Sequence, residues 1–131
     1  MTEEVLNQSI EETVLYNSHV ELGAKLVPFG GFTMPVSYLD GIQAEYFAVR
    51  KEAGIFDVSH MGEFFISGHG SQEFLQRMTV NDVSKLQVGD AQYSLMCYPD
   101  GGIVDDLILF RQSDGYFIVV NASNIQKDFE W

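Results

Sequence analysis

Asp105 and Asp106 interrupt an otherwise apolar run, Ile103-Val104-Asp105-Asp106-Leu107-Ile108-Leu109-Phe110. A strand turns successive side chains to opposite faces, so the two carboxylates part company. Asp106 falls with Val104, Ile108 and Phe110, and Asp105 with Ile103, Leu107 and Leu109, unless a bulge alters the parity. A carboxylate on an apolar face is costly unless a partner or a ligand meets it. Such an acid is a candidate for proton handling or charge stabilisation. The plainer alternative sets both acids at the solvent end of the strand, bonded to a neighbouring loop.

Three further side chains have a chemical reading beside a structural one. Tyr93 lies on the strand before the acids, somewhat farther from the intervening turn than Asp106. It can stack on a flat heterocycle, or stand half-buried with its hydroxyl at the sheet edge. Asn121 ends the next strand and can offer its amide to a ligand, although capping the following helix is the default. Met61, in Ser59-His60-Met61-Gly62, can line an apolar pocket or simply fill the core. His60 reads as a hydrogen-bonded loop residue. His19 and His69 have no ligand spacing with it, and there is no cysteine pair, so no metal site is expected. Cys97, the single cysteine, sits in an apolar run with no activating base nearby and reads as a buried, unreactive thiol. Phosphate-binding loops and nucleophile elbows are absent from the sequence.

The elements that must hold these residues can be traced along the chain. A short helix capped by Asn17 or Ser18 runs to Leu22, with Gly23 as its stop. Residues 25–29 form a strand and 32–38 an extended segment, since Pro35 disfavours helix at Met34. The clearest helix covers 41–54, where Ile42, Tyr46, Val49 and Ala53 recur at helical steps between a capping Asp40 and Gly54. Strands are expected at 55–58 and 63–68. A second helix follows from Ser71, with Phe74, Leu75 and Met78 inward. The last third reads as a three-stranded meander, 91–98, 103–111 and 116–121, turned by Pro99-Asp100-Gly101-Gly102 and Gln112-Ser113-Asp114-Gly115. Ser123 then caps a helix that reaches the chain end. Helices mixed with hairpin-linked strands predict an α+β fold with a mixed or antiparallel sheet.

Composition sets the outer limits. The 131 residues include 46% hydrophobic and 13% aromatic side chains, enough for a packed core. The formal net charge of -12 argues against a nucleic-acid surface. No apolar run reaches the ~20 residues of a membrane span, so no membrane association is expected. The acidic start has neither the basic and apolar regions of a secretory signal nor an arginine-rich presequence, which reads as a cytoplasmic protein or a mature form.

The blocks PFGGFTMPVSY, DVSHMGEF, QYSLM, GGIVDDL and VVNASNIQKD resemble, in order and spacing, those of the aminomethyltransferase family, the T-protein of the glycine cleavage system. The resemblance covers nearly all of the chain after residue 14. It implies the first half of a folate-binding α+β domain over residues 15–131, cut short at its C-terminus. Residues 1–14, acidic and with only weak apolar periodicity, read as a flexible tail. The family moves a methylene group from aminomethyl-lipoyl on the H-protein to tetrahydrofolate and releases ammonia. Tetrahydrofolate is thus the implied co-substrate and lipoylated H-protein the implied partner. By the same resemblance Asp106 is the catalytic acid near the reactive folate nitrogens, while Tyr93, Asn121 and Met61 line the folate site. The family's glutamate and arginine that grip the pterin fall after Trp131, so the isolated chain is expected to be inactive. The runner-up is a related folate-binding paralogue that shares the fold but uses another donor: the iron-sulfur assembly factors, or the folate domains of sarcosine and dimethylglycine dehydrogenases. A half-domain serving only as scaffold is the reading from a different class.

Overall fold

The computed structural model describes residues 10–131 and divides them into two compact units, residues 10–60 and Met61–Trp131. The first nine residues of the expected acidic tail lie outside the described part. Within the rest of that tail, Glu11–Glu12 form a short strand, β1, paired in parallel with β3 (Phe32–Ser37).

In the first unit, β2 (Lys25–Phe29) and β3 make a hairpin closed by Gly30 and Gly31, with Phe29 opposite Phe32. Both glycines have positive φ, 59° and 88°. That is the backbone a two-residue hairpin loop needs to match strand twist. The sheet order is β1-β3-β2. Helix α1 (Tyr16–Glu21) lies between β1 and β2 in the chain, and helix α2 (Gly41–Lys51) follows β3. The latter ends three residues before Gly54, and Asp40 makes no side-chain capping bond. Its apolar stripe is real but only half covered: Ile42 and Tyr46 stay 64% and 57% exposed and line an open cavity of about 580 Å³ together with Met34, Val36 and Phe56.

The strand expected at 55–58 does not form. A strand needs a neighbour for its backbone, and Ile55 lies fully exposed with no partner in either sheet. Asp57 is instead the hub of a polar cluster. Its Oδ2 accepts from Thr13 Oγ1 at 2.9 Å and meets His19 Nε2 at 2.9 Å, while its Oδ1 accepts from the Ser59 amide and hydroxyl at 2.9 and 2.6 Å. The other ring nitrogen of His19 meets the Tyr38 hydroxyl at 2.8 Å. Burial alone would raise the Asp57 carboxyl, but the bonds from His19, Ser59 and Thr13 outweigh it and hold the group well below the usual carboxylate range. His60 makes no ring Nδ1 bond and packs edge-on against Phe29 and Phe32 instead of acting as a bonded loop histidine.

The second unit is a four-stranded antiparallel sheet in the order β4 (Gly62–Ser67), β7 (Gly115–Val120), β6 (Ile103–Arg111), β5 (Ala91–Cys97). Leu107, Leu109, Tyr116, Ile118, Val120 and Met96 point to one face and bury there with Leu75 and Val83. Helix α3 (Ser71–Met78) supplies Leu75 but turns Phe74 outward, and Ser71 makes no cap. Helix α4 (Ile125–Glu130) adds Ile125. The parity of β6 shifts where Met96 pairs with Asp105 but Cys97 with Ile103. Val104 is the extra residue of a β-bulge, so it turns inward beside Asp105 instead of joining Asp106 as simple alternation predicts.

Gly115 is required by a close approach. A Cβ there would lie 2.4 Å from the Ile66 carbonyl oxygen, which is backbone and cannot swing aside. Gly115→Ala is expected to cost about 1–3 kcal/mol, the range of an overpacked site. Urea denaturation checks this against Gly102→Ala, whose nearest neighbour is only the Asp100 side chain at 3.2 Å. Equal midpoints would show that β4 and β7 can move apart freely.

Candidate functional site

The outer face of the four-stranded sheet carries the candidate residues. Val120 pairs with both Gly62 and Leu107, so the next residues along, Met61, Asn121 and Asp106, sit side by side at one end of the sheet. Asp106 pairs with Leu95, and Tyr93, two residues farther on the same face of β5, reaches it diagonally. The Tyr93 hydroxyl donates to Asp106 Oδ2 at 2.9 Å, and Asn121 Nδ2 donates to Asp106 Oδ1 at 2.9 Å. Each oxygen of a half-exposed carboxylate is thereby aimed, and its remaining lone pairs stay available. The bond to Asp106 raises the Tyr93 phenol above its ordinary value, so Tyr93 remains a proton donor at neutral pH.

Asn121 does not cap a helix. No side-chain capping bond forms at the 3-10 turn Ala122–Asn124, and Asn124 rather than Ser123 precedes α4. Its amide also lies 3.0 Å from Asp105 Oδ1 and 3.4 Å from the Asp106 carbonyl oxygen. An amide nitrogen has two hydrogens, so the two short bonds, one to each carboxylate, are those it makes best. Met61 adjoins Asn121 by register, is half-buried, and joins the other three by no described hydrogen bond.

Behind this row lies a residue that the sequence reading passed over. Asp128 of α4 is buried beside Asp105. Lys127 reaches past it to donate to the Val104 carbonyl at 2.7 Å. Asp128 stands three residues after Ile125, on the face of α4 that meets the core. Among the described residues, no three histidine, cysteine or acidic side chains gather as metal ligands. Cys97 is half-buried with a free thiol. No helix among the described residues is long and apolar enough to cross a membrane.

Comparison with known proteins gives this geometry its context. Residues 15–131 match the family described as the GCVT N-terminal domain. The chain is 58% identical over 123 residues to an aminomethyltransferase of Pelodictyon phaeoclathratiforme, a match covering 93% of this chain and 33% of that protein. It is 59% identical over 120 residues to an aminomethyltransferase of Chloroherpeton thalassium, covering 91% and 33%. Its fold matches the crystal structure of glycine cleavage system aminomethyltransferase T from Bartonella henselae with a TM-score of 0.89 at 37% identity, covering 93% of this chain and 34% of that one. The chain therefore spans about a third of the length of the relatives it matches. Matched along nearly all its length in sequence and in fold, the chain belongs to the aminomethyltransferase family and carries its GCVT N-terminal domain.

Proposed function

We propose that this chain is the part of a cytoplasmic aminomethyltransferase that holds the acid for methylene transfer to tetrahydrofolate. The observation that carries the reading is the Asp106 carboxylate, aimed by Tyr93 and Asn121 on the open face of a sheet. The donor is the aminomethyl group on the lipoyl arm of H-protein. Its carbon bonds to the two folate nitrogens as its bonds to sulfur and to the amino nitrogen break. The two folate N–H protons leave, one to the sulfur and one to the amine, giving dihydrolipoyl H-protein, ammonia and methylenetetrahydrofolate. Asp106 orients the folate amine and stabilises the positive charge that builds as the carbon moves. Tyr93 and Asn121 keep the carboxylate in place, Tyr93 offers its ring to the heterocycle, and Met61 gives the heterocycle an apolar neighbour. No metal takes part in this scheme, and no covalent bond to the protein forms.

A chimera tests the reading. The matching third of the Pelodictyon phaeoclathratiforme relative is replaced by residues 15–131 of this chain. It is expected to form methylenetetrahydrofolate and ammonia from aminomethyl-loaded H-protein, whereas the isolated 131-residue chain forms none. A well-folded chimera that is inert with H-protein overturns the proposal. Transfer from sarcosine or dimethylglycine instead would favour a paralogue. Full-rate turnover by the isolated chain would show that the site needs nothing more.

A further inference from the structure

The buried pair behind the candidate site has one unexplained feature. Asp105 Oδ2 and both carboxylate oxygens of Asp128 are buried and lack any hydrogen-bond donor, although both residues are only 6% exposed. Yet the two carboxyl groups adjoin each other. Two carboxylates are acceptors only, and a buried carboxylate without a donor is strongly disfavoured. A single proton between them resolves both facts. It turns Asp128 into the donor and gives Asp105 the acceptor role.

We propose that Asp105 and Asp128 share one proton as a buried acid–carboxylate pair, and that this pair is a positioning device for Asp106. The route is the Asn121 amide, whose two hydrogens reach Asp105 Oδ1 at 3.0 Å and Asp106 Oδ1 at 2.9 Å. Fixing Asp105 fixes the amide, and the amide fixes the acid on the open face. The surrounding charges agree. Burial, contact with Asp105 and its charge, together with the Asp106 charge, push the Asp128 carboxyl up to about 7 against the opposing pull of Lys127. Burial would also raise Asp105, but the neighbouring polar groups of Asn124, Asp128 and Asn121 and the Asp106 N–H together hold it below its ordinary value. The proton therefore belongs to Asp128. The remaining titratable neighbour is the Tyr93 hydroxyl, which feels the Asp105 charge from β5 and stays protonated. Lys127, whose ammonium donates to the Val104 carbonyl, opposes this only in part, because burial and the two aspartates outweigh its pull. Above neutral pH the proton is lost, two buried negative charges face each other, and the Asn121 amide loses its fixed acceptor.

The positioning role rests on the reading of Asp106 given above; the shared proton does not. The test therefore begins without activity, by carbon-detected NMR of the 131-residue chain with its aspartate side chains labelled. The Asp128 carboxyl carbon is expected to titrate with a midpoint near 7, and the Asn121 side-chain amide resonances to follow the same midpoint. Asp128→Asn keeps a donor toward Asp105 at every pH, so the step should vanish from Asn121. Asp105→Asn should drop the Asp128 midpoint by more than one pH unit. An Asp128 carbon that titrates near the ordinary 3.8, or an Asn121 amide indifferent to pH between 5 and 9, overturns the pair. In the chimera, transfer should decline above pH 7 in the parent but persist in Asp128→Asn, and Asp128→Ala should lose it at all pH values. Parallel pH profiles for the parent and Asp128→Asn, with the NMR step intact, would overturn the positioning role alone.

Discussion

Asp106→Asn in the chimera is expected to lower the rate of methylene transfer by a factor of about 10²–10⁴, the range seen when a positioned acid or a charge-stabilising group is removed. The fold should survive. The substitution keeps the shape of the side chain, and one of its two polar atoms still accepts a hydrogen bond. The other position becomes a donor facing either the Tyr93 hydroxyl or the Asn121 amide, so one bond is lost at a half-exposed place. That costs about 1 kcal/mol, a few degrees in Tm at most. What disappears is the negative charge, and no nearby group can replace it from the same position, since Asp105 is turned toward the core. Single-turnover kinetics with saturating H-protein, beside a thermal melt, separate the two quantities. A rate within threefold of the parent would make Asp106 a structural acid and remove the basis of the mechanism.

The largest stability effect should come from Asp57→Ala in the first unit. The Asp57 side chain is 2% exposed and serves His19, Thr13 and Ser59 together. Its removal leaves two buried polar groups, His19 and Thr13, without their acceptor, besides the exposed Ser59, and losses of about 3–5 kcal/mol follow from breaking such a buried pair. The pH dependence has a definite sign. The folded carboxyl is held well below its ordinary 3.8, so near pH 3 the unfolded chain binds a proton that the folded chain does not. Stability then falls as the medium is acidified through and below about pH 4, and is fully present above it. Urea midpoints measured from pH 7 down to pH 2.5 should converge for the parent and Asp57→Ala as the acid limit is approached. Parallel curves would show that the cluster is not held by the ionised carboxylate.

The contrast between the two units shows what the chain could disclose by pattern. The strands at 91–98, 103–111 and 116–121 were legible because strong turn residues punctuate them and each had a neighbour to pair with. The stretch 55–58 has the same apolar, β-branched look, but Asp57 is claimed by side chains far away in sequence, and no spacing rule signals a contact across 38 or 44 residues. The Tyr93–Asp106 contact was within reach of a hairpin count, since it is a diagonal across two adjacent strands. The role of Asn121 was not, because a local preference for capping yielded to two carboxylates brought up from β6. Asp128 was overlooked for a related reason: a short terminal helix offers too few turns to mark an acid as inward-facing. Nor does periodicity along one strand reveal an extra residue at Val104, which is defined only by the register against β5.

That extra residue has a consequence for how the segment tolerates change. Because the strand already slips one place at Val104, the hairpin loop before it is mechanically uncoupled from the acids after it. A residue gained or lost among 99–103 can be absorbed at the slip, leaving Asp105 and Asp106 facing as they do. The same change between Leu107 and Arg111 has no such buffer: it would invert every side chain on one side of it, and exchange a greasy interior for a wet surface. Length variation across related chains, and any site chosen for an inserted label, should therefore fall before the slip and not after it.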